Sequence, residues 1–373
     1  MLGTTLVVLS YSLLNPVLAV RLQIAGVSNT AIGLMATLPF VAVAVLVPVV
    51  PHVFGRIGVG QAYRLGLLLE LIACLGYLLT DHYVVWCVLG LLAGMGAAAA
   101  WNATEGLIAH NVPPSHRGRI TGIYQTVLGA AMALGPMLPA LVGLGPRQAN
   151  AVAAAGLGLG LLITLGPAVS RLSASHADQA HMGLMAAWRL RPFLVWAALV
   201  GGVFEVGLGS IATAYGSAIG LPLAAATSIA GAIGMGSFVL QYPTGWLADH
   251  VPARRLFVTG GLLLAVSALG FILAPQWTPL IWLCAATWGA VGGALYTLSM
   301  IRVAHDFADT SALAGTSAMI AGYTAGGALG PIVSGWLLDH VGAHGQGLWL
   351  AGLALSLLLA RSRPAATAEP PRP

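Results

Sequence analysis

The sequence predicts an all-α membrane protein of twelve transmembrane helices, arranged as two six-helix bundles related by a pseudo-two-fold axis along the membrane normal. Composition is the first ground: 58% hydrophobic and 7% charged residues, with a mean hydropathy of +0.90, cannot clothe a water-soluble surface. Apolar runs are the second, since a hydrocarbon core of about 30 Å needs about 20 apolar residues at about 1.5 Å each. The third is charge: every one of the 15 basic residues is arginine, and when the runs are numbered in order, all but Arg21 and Arg147 fall in alternate gaps. Positive charge flanking spans stays cytoplasmic, which places both termini inside.

The spans follow in order. Residues 2–20 form the first, kept as a span because it lacks the basic start of a signal peptide and its removal would break the alternation. Residues 29–50, 63–80, 83–108, 120–143 and 149–169 complete a first bundle over 1–169. Residues 170–191 are the longest internal polar stretch and read as a cytoplasmic linker, in which Met182, Met185 and Trp188 are spaced for a short surface helix or lie in plain loop. Residues 192–215, 222–247, 256–274, 278–302, 311–335 and 346–361 make a second bundle over 192–361. The Pro-rich stretch 362–373 reads as a disordered cytoplasmic tail. The 49 glycines fit lipid, where small residues let helices approach closely.

The halves match each other at an offset of 194 to 195 residues. Ala133-Leu134-Gly135-Pro136 recurs as Ala328-Leu329-Gly330-Pro331, Gly26 falls on Gly220, His110 on His305, and a loop at 51–58 on 245–252. Six spans separate equivalent positions, an even number, so the halves share one orientation and leave a cavity between them. The second copy of that loop, Gly245-Trp246-Leu247-Ala248-Asp249-His250-Val251-Pro252-Ala253-Arg254-Arg255, resembles the cytoplasmic signature G-x-L-A-D-R-x-G-R-R of the major facilitator superfamily (MFS). His250, Pro252 and Ala253 depart from it, and the first copy keeps only Arg56 and Gly58. The nearest likeness is to little-characterised bacterial members with twelve spans. The resemblance implies the MFS fold, a bacterial inner membrane, and secondary transport by alternating access with spans 1, 4, 7 and 10 lining the path.

A carboxylate in lipid is costly, so an acid deep in a span is a functional candidate. Glu205 lies fourteen residues past Arg191, about 21 Å into span 7, with Gly201, Gly202 and Gly209 on its face. It is the leading candidate for binding substrate or a proton; the alternative is a protonated carboxyl buried in packing. Tyr11 is its repeat counterpart, with Asn15 one turn on. Trp101 and Asn102 fall opposite Tyr296 and Thr297 in the repeat. Gln241 shares a face with Gly234, Ser237 and Gly245, and Trp288 shares one with Gly292 and Tyr296; such faces serve helix packing or line a path. Tyr124 and Gln125 are further lining candidates. Glu70 reads as an interfacial or interhelical carboxyl.

On the cytoplasmic side the resemblance assigns a gate to Gly245, Asp249, Arg254, Arg255, Arg56 and Glu105. Glu105 would pair with Arg56. Asp249 would meet the positive end of the span 5 helix near Arg119, a contact of about 0.3 to 2 kcal/mol, and so favour the outward-open state. Gly135-Pro136 and Gly330-Pro331 would bend spans 5 and 11 or aid packing.

The expected partners are a small-molecule substrate, a proton and membrane lipid, on a monomer. No nucleic acid is expected, because the arginines sit in short loops beside lipid heads. Cys74, Cys87 and Cys284 lie in apolar runs without metal or disulfide spacing, so neither metal nor cofactor is expected. No HExxH, GxSxG or phosphate-binding loop supports an enzyme. With no arginine at mid-span, a neutral, amphipathic or cationic solute fits better than phosphate or a dicarboxylate. A passive facilitator of the same fold is the alternative to a proton-coupled transporter.

Overall fold

The computed structural model describes residues 2–46, 50–111, 114–166, 191–306 and 312–359, without the side chains of 105–125 and 303–317. The expected linker, apart from Arg191, and the tail lie outside the described residues. Helices α1 (Leu2–Ile24), α2 (Asn29–Leu46), α3 (Val50–Ile57), α4 (Val59–Leu79), α5 (Tyr83–Asn111), α6 (Pro114–Val142) and α7 (Pro146–Thr164) build the first half. In the second half, α8 (Pro192–Gly202) runs through a π turn (Val203–Gly207) into α9 (Leu208–Ala218). Then come α10 (Leu223–His250), α11 (Ala253–Ser267), the short α12 (Gly270–Leu273), α13 (Leu280–Asp306), α14 (Ala312–His340) and α15 (Gly342–Leu355). Among the described residues, eight helical segments are long and apolar enough to cross a membrane, and Thr126–Val142 of α6 is a shorter apolar stretch.

The repeat is written into the backbone. After α1, Gly26 takes φ 74°, and after α9, Gly220 takes φ 91°, a conformation that glycine adopts without a side-chain penalty. The closing bonds coincide at the same offset: Val27 N–H to Leu22 O at 3.0 Å matches Leu221 N–H to Gly216 O at 3.0 Å, the wide ring of a helix C-cap. The expected loop at 51–58 is instead mostly helix α3, and most of 245–252 is the last turn of α10. Proline is tolerated in a first helical turn, so Pro51 does not break α3.

Each half has its own apolar core. Leu13, Val17, Ile32, Leu67, Trp86 and Leu157 anchor the first; Val200, Phe204, Leu264, Phe271, Trp288 and Leu350 anchor the second. Ile211 and Ala214 of α9 cross over and join the first core. Backbones meet through glycine: a Cβ on Gly289 would stand 1.7 Å from Ile233 O, one on Gly33 2.1 Å from Pro331 O, and one on Gly66 2.7 Å from Gly96 O.

The halves touch along α2–α14, α6–α10 and α1–α9. On the first seam Thr37 donates to Ala328 O at 2.6 Å, and Gly335 packs on Asn29 O. On the second, Gly231 packs on Met137, Gly234 on Ala133 and Gly129 on Phe238. These contacts lie toward the face that carries Asp81 and the turns at Gly26, Gly143 and Gly220. Toward the opposite face, the Asp249 face, the space beside Gly245 is open and Val45 is exposed.

Candidate functional site

Glu205 is the central residue of the 27-residue segment Pro192–Ala218. It sits in the π turn, where one surplus residue widens the helix and breaks the hydrogen-bond ladder, a deviation frequent at functional sites. Ser237 Oγ of α10 donates to one carboxylate oxygen at 2.5 Å, and Tyr323 Oη of α14 donates to the other at 2.9 Å. The Tyr323 ring lies against Tyr296 of α13, centroids 4.6 Å apart. Room for the carboxyl comes from α13: a Cβ on Gly293 would be 3.0 Å from Glu205 Oε1, and one on Gly292 3.0 Å from its amide nitrogen. The expected glycine face does pack tightly at two positions. A Cβ on Gly201 would be 2.6 Å from Gly292 O and one on Gly202 2.1 Å from Tyr323 O, whereas Gly209 has nothing nearer than 3.9 Å.

Among the other candidates, Gln241 accepts from Thr297 Oγ1 at 3.0 Å, on the same pair of helices as Ser237 and Gly293. Trp288 stands apart: it is fully buried and stacks on Phe271 at 5.1 Å, inside the second core. In the first half, Asn15 lines a narrow cleft with Ser210 and Met35. Tyr11 is half-buried, within electrostatic reach of Glu70. Glu70 itself is 3% exposed, with Oε1 lacking a hydrogen-bond partner; it is interhelical, in a gap that Gly96 leaves open. Asn102 bonds back to Ala98 O at 2.8 Å, and Trp101 is partly exposed. The side chains of Tyr124, Gln125 and Glu105 lie outside the described residues. Sequence reasoning passed over Tyr323, a lone tyrosine in the run Ala321-Gly322-Tyr323-Thr324-Ala325, and grouped Ser237 with helix packing.

At the Asp249 face, Asp249, Arg56, Arg254 and Arg255 are all exposed. The first-turn side chains of α6, where Asp249 is expected to dock, lie outside the described residues. Gly135 packs on α1, its Cβ position 2.8 Å from Leu13 N, and Gly330 packs on Gly207 at 3.1 Å; α6 and α14 run unbroken through Pro136 and Pro331.

The opposite face is closed by a carboxylate that sequence reasoning missed. Asp339, at the end of α14, accepts from the backbone of Asn29 at 3.0 Å and of Thr30 at 2.7 Å. It also accepts from the Asn29 amide at 2.8 Å and the Thr30 hydroxyl at 2.6 Å. Partial burial pushes its carboxyl up, but the Thr30 and Asn29 donors outweigh that and hold it below the ordinary 3.8. On the same face Arg21 pairs with Asp81, stacks on Trp86 at 4.6 Å and donates to Tyr77 O at 2.9 Å. Asp81 also meets Arg147 at 3.2 Å. These residues border a cavity of about 650 Å³, remote from Glu205.

Comparison with known proteins places this architecture. The Major Facilitator Superfamily profile matches residues 1–313 and again 212–373. An uncharacterised MFS-type transporter of Bacillus subtilis, YfkF, is 23% identical over 88% of this chain and 85% of its own. Among solved structures, the nucleoside transporter NupG superposes with a TM-score of 0.75 at 14% identity, covering 96% of this chain and 98% of its own. A D-xylose-proton symporter superposes with a TM-score of 0.75 at 12% identity, covering 96% and 95%. The profile spans the whole chain, and the helices, seams and central carboxyl agree with it: the chain belongs to the Major Facilitator Superfamily and is a membrane transporter rather than an enzyme.

Proposed function

We propose that the protein is a secondary transporter that moves a small neutral, amphipathic or cationic solute by alternating access, coupled to protons through Glu205. In this reading, twelve spans form two six-helix bundles joined by the 170–191 linker, in a bacterial inner membrane with both termini cytoplasmic. The Asp81 face is external and the Asp249 face cytoplasmic, so the seams are packed on the outside and the conformation is inward-facing.

The observation that carries the reading is the setting of Glu205: mid-span, in a π turn, and bonded by two neutral hydroxyls from two other helices. Among the described residues it makes no ion pair. An ionised carboxyl without a cation costs several kcal/mol in a low-dielectric interior. A proton or a cationic solute group removes that cost, and opening to water returns it. The D-xylose-proton symporter of similar architecture supports the coupling of a solute to a proton in this fold. The aromatic pair Tyr296–Tyr323 beside the carboxyl suits a solute with a flat or apolar body.

A thermal-stabilisation screen across metabolites and organic cations identifies a substrate, after which Glu205→Gln in vesicles tests the mechanism. The substitution mimics the protonated carboxyl. It is expected to keep exchange of substrate across the membrane and lose accumulation driven by a pH gradient. Full gradient-driven accumulation by Glu205→Gln would overturn the coupling and favour a passive facilitator.

A further inference from the structure

The heptapeptide Gly335-Trp336-Leu337-Leu338-Asp339-His340-Val341 at the end of α14 repeats Gly245-Trp246-Leu247-Ala248-Asp249-His250-Val251 at the end of α10. The two copies fold alike. His340 stacks on Trp336 at 4.8 Å and His250 on Trp246 at 4.4 Å. Each His Nδ1 meets the carbonyl of its tryptophan, at 2.9 and 2.7 Å. They stand on opposite faces and in opposite states. Gly335 is pressed against α2, where a Cβ would be 2.1 Å from Asn29 O, whereas Gly245 faces open space. Asp339 binds the first two amides of α2, and the third, of Ala31, is taken by Ser28 Oγ at 3.2 Å. The N-terminal donors that a helix leaves unsatisfied are thereby paired across the seam.

The position of the free copy follows from register. The α6–α10 contacts pair 231 with 137, 234 with 133 and 238 with 129. Continuing that antiparallel register brings Asp249 to the first turns of α6, beside the sequence positions of Arg117 and Arg119. A helix N-terminus and cationic residues both favour a carboxylate there.

We propose that the two heptapeptides are alternating latches: Asp339 on α2 holds the outer face shut in this state, and Asp249 on α6 holds the cytoplasmic face shut in the other. The expectation drawn from the signature concerned Asp249 alone; the second copy gives the cycle a matched lock for each end. The inference rests on the alternating-access reading.

The test uses full-length protein lacking Cys74, Cys87 and Cys284, reconstituted in lipid, with spin-label pairs at Ala25 and His344 on the outer face and at Gln61 and Ala253 on the other. Asp339→Asn is expected to shift the inward-to-outward ratio about tenfold toward outward, lengthening the outer distance and shortening the cytoplasmic one. Thr30→Val is expected to act in the same direction more weakly. Asp249→Asn is expected to act oppositely and to offset Asp339→Asn in the double variant. Gly33→Ala, which drives a Cβ into the Pro331 carbonyl, forces the outer seam apart on any two-state reading. Opening by Gly33→Ala with none by Asp339→Asn or Thr30→Val overturns the latch alone. No change with any variant overturns alternating access itself, and shifts of the same sign from Asp339→Asn and Asp249→Asn overturn the alternation.

Discussion

Glu205 depends on two hydroxyls that come from positions 32 and 118 residues away, which makes the carboxyl a joint between three helices as well as a site. Tyr323→Phe removes one donor and should cost about 1 to 2 kcal/mol, read as a lower thermal midpoint of the detergent-purified protein. In a Glu205→Leu background the same substitution should cost much less, because the acceptor is gone, and equal costs in both backgrounds would show that Tyr323 stabilises through packing alone. The sequence made Glu205 legible because an acid among apolar residues stands out. It could not make Tyr323 or Ser237 legible as its partners, since tyrosine and serine are ordinary in spans and the pairing exists only after three helices have met. Trp288 erred the other way: a stripe shared with Tyr296 looked like lining, yet one turn of offset along α13 puts it in the dry core.

The helices were legible as elements because lipid forces a run of apolar residues onto each. Their details were not. A π turn adds one residue to a segment whose neighbours are all apolar or glycine, so the pattern carries no mark of it. The contacts it organises predict different tolerances along one helix face. Gly202→Ala, whose Cβ would lie 2.1 Å from Tyr323 O, should destabilise by about 1 to 3 kcal/mol through overpacking. Gly209→Ala, with nothing nearer than 3.9 Å, should be neutral or raise stability by up to about 1 kcal/mol through helix propensity. Thermal unfolding of the two variants side by side checks the contrast, and equal losses would show that the α8–α14 approach is looser than drawn.

At the level of the molecule, charge sets orientation and the turns set the repeat. Single cysteines at the positions of Asp81 and Arg255, on a background without native cysteines, should react with an impermeant thiol reagent from opposite sides of the membrane. Labelling of both from one side would refute the proposed topology. The heptapeptide carries a separate consequence, for descent. In the second half α10 begins at Leu223 and α14 at Ala312, α11 at Ala253 and α15 at Gly342, so equivalent helices lie three spans apart in the proposed topology. An odd number of crossings inverts a copy, the nested arrangement described for this superfamily. A three-helix ancestor bearing one such motif would, once doubled, present it to both sides of the membrane with no further invention. The two copies have diverged where their compartments differ: Val251-Pro252-Ala253 runs on into Arg254-Arg255, and Val341-Gly342-Ala343 into His344-Gly345. Two codons for arginine are enough to tell one end of an ancestral hairpin which way to face.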